Sequence, residues 1–377
     1  MRRNLLLVAL LLSQISGFAL SSNSRISVLT SDPGIEHYTI FGHSAIRVTD
    51  DSLGIDRVYN FGTFDFSEPY FYMKFIKGNL KYFLSISDFK TFMRYSYLEK
   101  RKIHEQVLDL NLIERSKIFN NLERCYNSPD RYYIYDFYYD NCATRVRDLI
   151  FKSTEQQISF DSNQYKNKTF RQLLKPYIAG NYWIDFGINL VLGRESDKIA
   201  RPDDYMFLPF YIMSILNTTS IVKKQKVLLD ASESKGHGHN YSYLSPWIIV
   251  VILLLLSVWS KSRKIVFYTV MSVVGFAGLL LLAIGFYTDN AAFSNNMNVL
   301  WTIPSILVIA IPCKNINSII KGCYILLLVL LLLFRNSLPQ EMSSTFIPWM
   351  LCLILILLFD FKRSITQSEC QTRLKTT

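Results

Sequence analysis

Five apolar stretches crowd the last third of the chain: 246–260, 265–288, 299–313, 323–334 and 346–359. Nothing else in the sequence constrains its architecture as strongly. Apolar runs joined by short polar loops read as helices in lipid, although several are shorter than the roughly 20 residues a bilayer needs and must draw on their flanks. Lys261, Arg263 and Lys264 lie in the first loop, Lys314 and Lys321 in the third, and Lys362 and Arg363 follow the fifth run. The alternate loops hold no basic residue (289–298) or one, Arg335. Basic loops remain cytoplasmic. The chain before 246 is therefore expected outside the cytoplasm, and the tail from 361 inside.

The N-terminus agrees independently. Arg2 and Arg3 precede a short apolar core over 5–12, and Gly17-Phe18-Ala19 supplies small residues for cleavage after Ala19. This is the pattern of a secretory signal peptide. The expected organisation is a signal peptide over 1–19, an exported domain over 20–221, a polar juxtamembrane linker over 222–245, five transmembrane helices over 246–360 and a cytoplasmic tail over 361–377. The net charge of +11 suggests a nucleic-acid binder until it is located. Residues 21–245 hold 29 basic and 26 acidic groups, so the excess sits beside apolar segments and marks topology.

Within the exported part, 26–30, 41–48 and 58–64 alternate as strands, and Asp32-Pro33-Gly34 and 50–54 read as turns between them. The stretch 71–83 is ambiguous. Residues 112–126 and 143–152 carry helical spacing. Strands first and helices afterwards predict an α+β domain.

Two cysteines, Cys125 and Cys142, lie in the exported part. A disulfide between them is one reading. The other starts from Asp140-Asn141-Cys142-Ala143-Thr144-Arg145, where Asp140 or Asn141 can cap a helix whose first turn holds Cys142. Free N–H groups and the helix dipole there favour a thiolate, the form that acts as nucleophile. A base is then required. His43, between Gly42 and Ser44 on a strand, is the candidate, with a satisfied structural histidine as the alternative. His37 falls in a loop, and His104 is the third exported histidine outside the linker. Asn60 on the adjacent strand can orient the imidazole, with Asp65 a second candidate and Tyr59 a supporting one. His237 and His239 flank Gly238 in the linker, too few ligands for a metal site. The aromatic segments 70–75 and 205–211 fit either ordinary core or the lining of an acyl groove.

Phe41-Gly42-His43-Ser44-Ala45-Ile46-Arg47-Val48, Tyr59-Asn60-Phe61-Gly62-Thr63-Phe64-Asp65-Phe66 and Tyr135-Asp136-Phe137-Tyr138-Tyr139-Asp140-Asn141-Cys142 together resemble the DUF4105 family, the periplasmic domain of Lnb-type lipoprotein N-acyltransferases. The order histidine, polar residue, Asn-Cys is also similar to circularly permuted NlpC/P60 thiol enzymes such as lecithin:retinol acyltransferase. The resemblance implies a permuted papain-like domain in the bacterial periplasm, carried by a multi-pass inner-membrane protein. It also implies acyl transfer through a Cys142 thioester, with His43 as base, Asn60 orienting it and Asn141 beside the nucleophile. The donor would be a membrane phospholipid and the acceptor the α-amine of a diacylated lipoprotein, with no cofactor, metal or nucleic acid involved. A membrane-anchored cell-wall peptidase and a non-catalytic membrane sensor are the competing expectations. Five spans suit a substrate with acyl chains better than a soluble polymer.

Overall fold

A computed structural model of the chain describes residues 19–34, 36–155, 158–161, 163–230, 246–259, 262–310 and 314–360. Residues 1–18 of the expected signal peptide (1–19), the His237/His239 pair and the expected cytoplasmic tail lie outside the described residues. By contacts the chain divides into two units. One comprises residues 1–75, 79–167 and 200–236, and the other 76–78, 168–199 and 237–377.

The first unit is built on a seven-stranded antiparallel sheet. Its strands are β1 (Arg25–Ser31), β2 (His43–Asp50), β3 (Ile55–Thr63), β4 (Lys81–Asp88), β5 (Ile103–Leu108), β6 (Tyr132–Ile134) and β7 (Val222–Leu229), in the spatial order β6-β4-β3-β2-β1-β5-β7. The three strands read from alternation are all present. The ambiguous stretch 71–83 resolves into a short helix, α1 (Phe71–Lys77), followed by β4. Next come α2 (Phe89–Leu98), which the sequence reading did not include, and α3 (Leu112–Tyr126), whose bounds coincide with the helical spacing read over 112–126. Asn111 starts α3 through a reciprocal cap with Glu114. Then follow α4 (Cys142–Ser153) and α7 (Pro209–Leu216), separated in sequence by two helices of the second unit. The architecture is α+β, as the segregation of strands and helices implied.

Part of the expected linker is a strand. Residues 222–229 form β7, which pairs with β5 from Val222↔Leu108 to Leu229↔Ile103. Its Lys223, Lys224 and Lys226 made it read as a polar tether, but they are edge-strand charges that stop further pairing at the sheet rim. Lys226 also reaches Glu105 at 3.0 Å.

The second unit holds α5 (Phe170–Ile178) and α6 (Tyr182–Val191) together with the apolar helices α8 (Pro246–Val258), α9 (Arg263–Tyr287), α10 (Lys314–Phe334) and α11 (Ser344–Asp360). The hairpin 168–199 therefore does not cluster with the rest of 20–221. Buried Arg171 forks onto Asp197 (2.8 and 3.0 Å) and reaches Asn189 Oδ1 at 2.8 Å. Asn298 Nδ2 donates to the carbonyls of Asn189 (2.9 Å) and Leu190 (3.0 Å), and Gly193 N–H donates to Ala292 O (2.8 Å). Phe186 packs edge-on to Phe346. Polar backbone caught against an apolar bundle has no water to turn to, so these bonds decide where the hairpin settles.

Gly193 is the tightest point, since a Cβ there would stand 1.7 Å from Ser294 O. Its φ of −86° is ordinary, so the constraint is purely steric. Gly193→Ala is expected to lower the Tm of the detergent-solubilised protein by several degrees, consistent with about 1–3 kcal/mol of overpacking. An unchanged melting curve would mean that the hairpin contact is dispensable.

The third apolar stretch departs from expectation. Instead of a spanning helix it forms a short 3-10 segment, Pro304–Ala310, among the described residues. Pro304 removes an amide donor and disfavours helix at Ile303, and Pro312 follows eight residues later in the sequence, too short an interval for a helix that spans a bilayer. The segment packs against α9, where a Cβ on Gly278 would meet Thr302 O at 2.0 Å and one on Gly275 would meet Leu307 Cγ at 2.6 Å. Small residues permit this backbone approach, as is usual between elements in lipid. Among the described residues two helices, Arg263–Tyr287 and Ser318–Ser337, are long and apolar enough to cross a membrane by themselves; Pro246–Val258 and Ser344–Asp360 are shorter.

Candidate active site

The sheet opens at one end, and α4 begins in the gap. β2 pairs with β3 only from Ile46↔Tyr59 to Asp50↔Ile55, so His43, Ser44 and Ala45 have no partner on that side. β3 shifts register against β4 between Asn60 and Thr63. Gly62 adopts φ +83°, and a Cβ on it would come 3.3 Å from Cys142 Cβ. Glycine is required there for two reasons, its left-handed backbone and the closeness of the cysteine.

Asn141 sets the start of α4. Its Oδ1 accepts from the N–H of Ala143 (2.9 Å) and Thr144 (3.0 Å), while Thr144 Oγ1 accepts from Asn141 N–H (2.8 Å). Its Nδ2 donates to the carbonyls of Phe137 (2.8 Å) and Phe207 (2.9 Å). Of the two possible caps, Asn141 is used, and Asp140 instead forks onto Arg145. Asn141 has no donor or acceptor to spare, so it positions Cys142. The thiol falls at the first helical position, as the sequence implied. Cys125 and Cys142 are both free. Cys125 donates to Asp130 O at 3.4 Å, which removes the disulfide reading.

His43 Nε2 lies 3.2 Å from Asn60 Oδ1. A carbonyl oxygen only accepts, so Nε2 carries the proton and Nδ1 keeps its lone pair. His43, Asn60, Asn141 and Cys142 line a single cavity of about 800 Å³ within the first unit. Its walls are largely aromatic, with Phe64, Phe71, Tyr72, Tyr135, Phe137 and Phe207 among them. The two aromatic segments thus divide. Phe71, Tyr72 and Phe75 of one and Phe207 of the other face the cavity, whereas Tyr205, Met206 and Tyr211 are core.

Two supporting candidates lie elsewhere. Alternation along β3 turns Tyr59 to the face opposite Asn60, where it is fully buried and its hydroxyl donates to Glu123 on α3. Asp65 is exposed and accepts from Ser67 N–H and Oγ in a local turn. Neither lines the cavity. His104 pairs with Asp32 at 3.0 Å, also away from it.

The electrostatics differ from the expected acidic thiol. Burial raises the Cys142 pKa, and the N–H groups of Ser44 and Ala143 together with the charge of Arg101 offset this only in part. Burial likewise pushes His43 down to about 4, assisted by Arg101 and opposed by Asn60. The helix start does favour a thiolate, but enclosure by aromatic side chains outweighs it. Both shifts favour a neutral thiol and a neutral imidazole at rest.

Arg101 was not foreseen. It sits in the charged run Glu99-Lys100-Arg101-Lys102, which reads as a solvated turn, yet the residue is only 7% exposed and lines the cavity. No local signal distinguishes it.

The fold and site define a membrane protein whose exported α+β domain carries a half-buried thiol and a half-buried imidazole lining one cavity. Residues 18–176 match the family model of the Lnb N-terminal periplasmic domain, and residues 240–367 match that of the Lnb transmembrane domain. The chain belongs to the Lnb-type (DUF4105) family, with a periplasmic part and a membrane part. No curated protein and no solved structure matches it.

Proposed function

We propose that this protein is a cysteine-dependent lipoprotein N-acyltransferase. The observation that carries the reading is the aromatic cavity holding Cys142 at a helix N-terminus beside the His43–Asn60 pair. Cys142 attacks the ester carbonyl of a membrane phospholipid, and its proton passes to His43 Nδ1. Collapse of the tetrahedral intermediate breaks the ester C–O bond, and His43 returns the proton to the departing lysophospholipid alcohol. The α-amine of a diacylglyceryl-cysteine lipoprotein then attacks the thioester. His43 accepts the amine proton and passes it to the sulfur as the thiol leaves. The backbone N–H of Ser44, on the stretch of β2 that β3 leaves unpaired, is a suitable donor for the oxyanion.

The chain order His43, Asn60, Cys142, with strands before the cysteine helix, supports a circularly permuted papain-like domain. The basic loops and the family's transmembrane match support a multi-pass inner-membrane protein with this domain in the periplasm. A reporter active only outside the cytoplasm, fused after Thr377, is expected to stay silent; activity would reverse the tail assignment. A lining of aromatic rings favours an acyl chain over the polar strands of a cell wall.

The deciding experiment is mass spectrometry of lipoprotein N-termini from cells with and without this protein. Loss of the triacylated form with intact cell-wall crosslinks supports acyl transfer, and the converse supports a peptidase. Asn60→Ala is expected to slow thioester formation roughly 10- to 100-fold, part of the 10²–10⁴ a positioned base supplies. Wild-type rates in single-turnover assays would remove Asn60 from the mechanism.

A further inference from the structure

Arg101 has no role in the steps above, yet its surroundings call for one. Its Nε donates to Asp32 O at 2.9 Å and its Nη1 to Glu99 Oε2 at 3.2 Å, while Nη2 is buried without a hydrogen-bond partner. The stem is accommodated beside Gly34, where a Cβ would lie 3.4 Å from Arg101 Cδ. Buried donors are normally paired, and an orphan on a cation is costly. Arg101 is the one permanent cation among the described residues lining the cavity of Cys142 and His43. The one carboxylate there is Glu99.

A site for a bare acyl chain needs no charge. Aromatic walls with a single enclosed guanidinium fit an amphiphile that carries an anion close to its acyl esters. Glu99 is 39% exposed at its side chain and holds Nη1 through one bond. An incoming phosphate can displace that carboxylate and take Nη1 and Nη2 together, the fork geometry that suits arginine to phosphate.

We propose that Arg101 binds the phosphate of the acyl donor, a glycerophospholipid, and so holds its ester against Cys142. The proposal rests on the acyl-transfer reading for the identity of the ligand and on the cavity geometry for the site itself.

The test uses the full-length protein in detergent micelles and has two arms. In the first, iodoacetamide alkylation of Cys142 is timed with and without sn-glycero-3-phosphoethanolamine. A probe at ten times its Kd slows a wholly protected thiol about tenfold. With each rate compared to that of the same protein without the probe, wild type is expected to show this and both Arg101→Met and Arg101→Lys to lose it, because lysine preserves the charge but not the fork. In the second arm, thioester formation is compared between a phospholipid and a phosphate-free diacylglycerol. Wild type is expected to prefer the phospholipid by roughly 10- to 100-fold, the range of one or two charge-assisted bonds, and Arg101→Met to show no preference.

Absent protection in wild type, or equal protection in Arg101→Met, overturns the proposal. So does an equal fall in acylation from both donors, which would make Arg101 an electrostatic support of the sulfur. Protection by inorganic phosphate as strong as by the glycerophosphoester would replace the lipid with free phosphate. If neither donor acylates Cys142 while Arg101-dependent protection persists, the acyl-transfer reading fails and the phosphate site stands.

Discussion

Cys142→Ser protein is expected to reach the membrane folded and to convert diacylated lipoprotein to the triacylated form at least about 10³-fold more slowly than wild type, the scale on which loss of a covalent nucleophile is felt. The fold should tolerate the change. The helix start is held by Asn141, through bonds to Ala143, Thr144, Phe137 and Phe207, and none of them involves the sulfur. Serine fills almost the same volume against Gly62, so no cavity opens. Its hydroxyl, however, is a far weaker nucleophile beside a base held at about 4, because it ionises even less readily than the thiol. Mass spectrometry of a reporter lipoprotein provides the measurement. Near-normal conversion would make Cys142 a structural residue and return the protein to a non-catalytic reading.

His43→Ala is expected to lower conversion by about 10²–10⁴-fold, and the double variant with Cys142→Ser to be scarcely worse than either single one, since the two groups act in one step. The pH profile supplies a separate check. The His43 pKa is lowered to about 4, so the imidazole is neutral and able to accept a proton at every pH above that value. The acid limb of kcat/KM from this group therefore lies near pH 4, below the usual histidine range, and activity should hold between pH 5 and 7. The Cys142 pKa is raised, so its thiolate population grows only on the alkaline side of an ordinary thiol. Iodoacetamide alkylation should accordingly keep climbing past pH 9, without a plateau near neutrality. A plateau between pH 6 and 8 would mean a preformed thiolate–imidazolium pair and would contradict the enclosed, neutral site described here.

Much of the exported domain was legible because its signals are local. Alternation in 26–30 and 58–64 gave strands, and the spacing of Ile118, Phe119 and Leu122 gave α3, since each pattern follows from the period of one element. Asn-Cys at a helix start and a histidine between two small residues marked Cys142 and His43, which line one cavity, for the same reason. Where readings failed, either a distant partner or an unread local contact decided the outcome. Lys223 and Lys224 look like a tether until β5 offers a rim to pair with. Asp65 satisfies itself within two residues, and Tyr59 is committed to Glu123, 64 positions away in sequence. The third apolar run was read as a span from its hydrophobicity alone, and Pro304 within it begins a 3-10 segment instead.

By itself the sequence determined the broad order of the chain, an α+β domain opening on three strands and then an apolar bundle, together with the side chains Cys142, His43 and Asn60 that line one cavity. These rest on composition, period and capping, which act over a few residues. Only the tertiary structure decided that the thiol is not acidic, that Arg101 is enclosed beside it, and that the hairpin 168–199 belongs with the second unit. Burial is the physical reason in each case. The energy of a charge or a polar group depends on how much water and which partners remain around it, and those are supplied by residues far away along the chain.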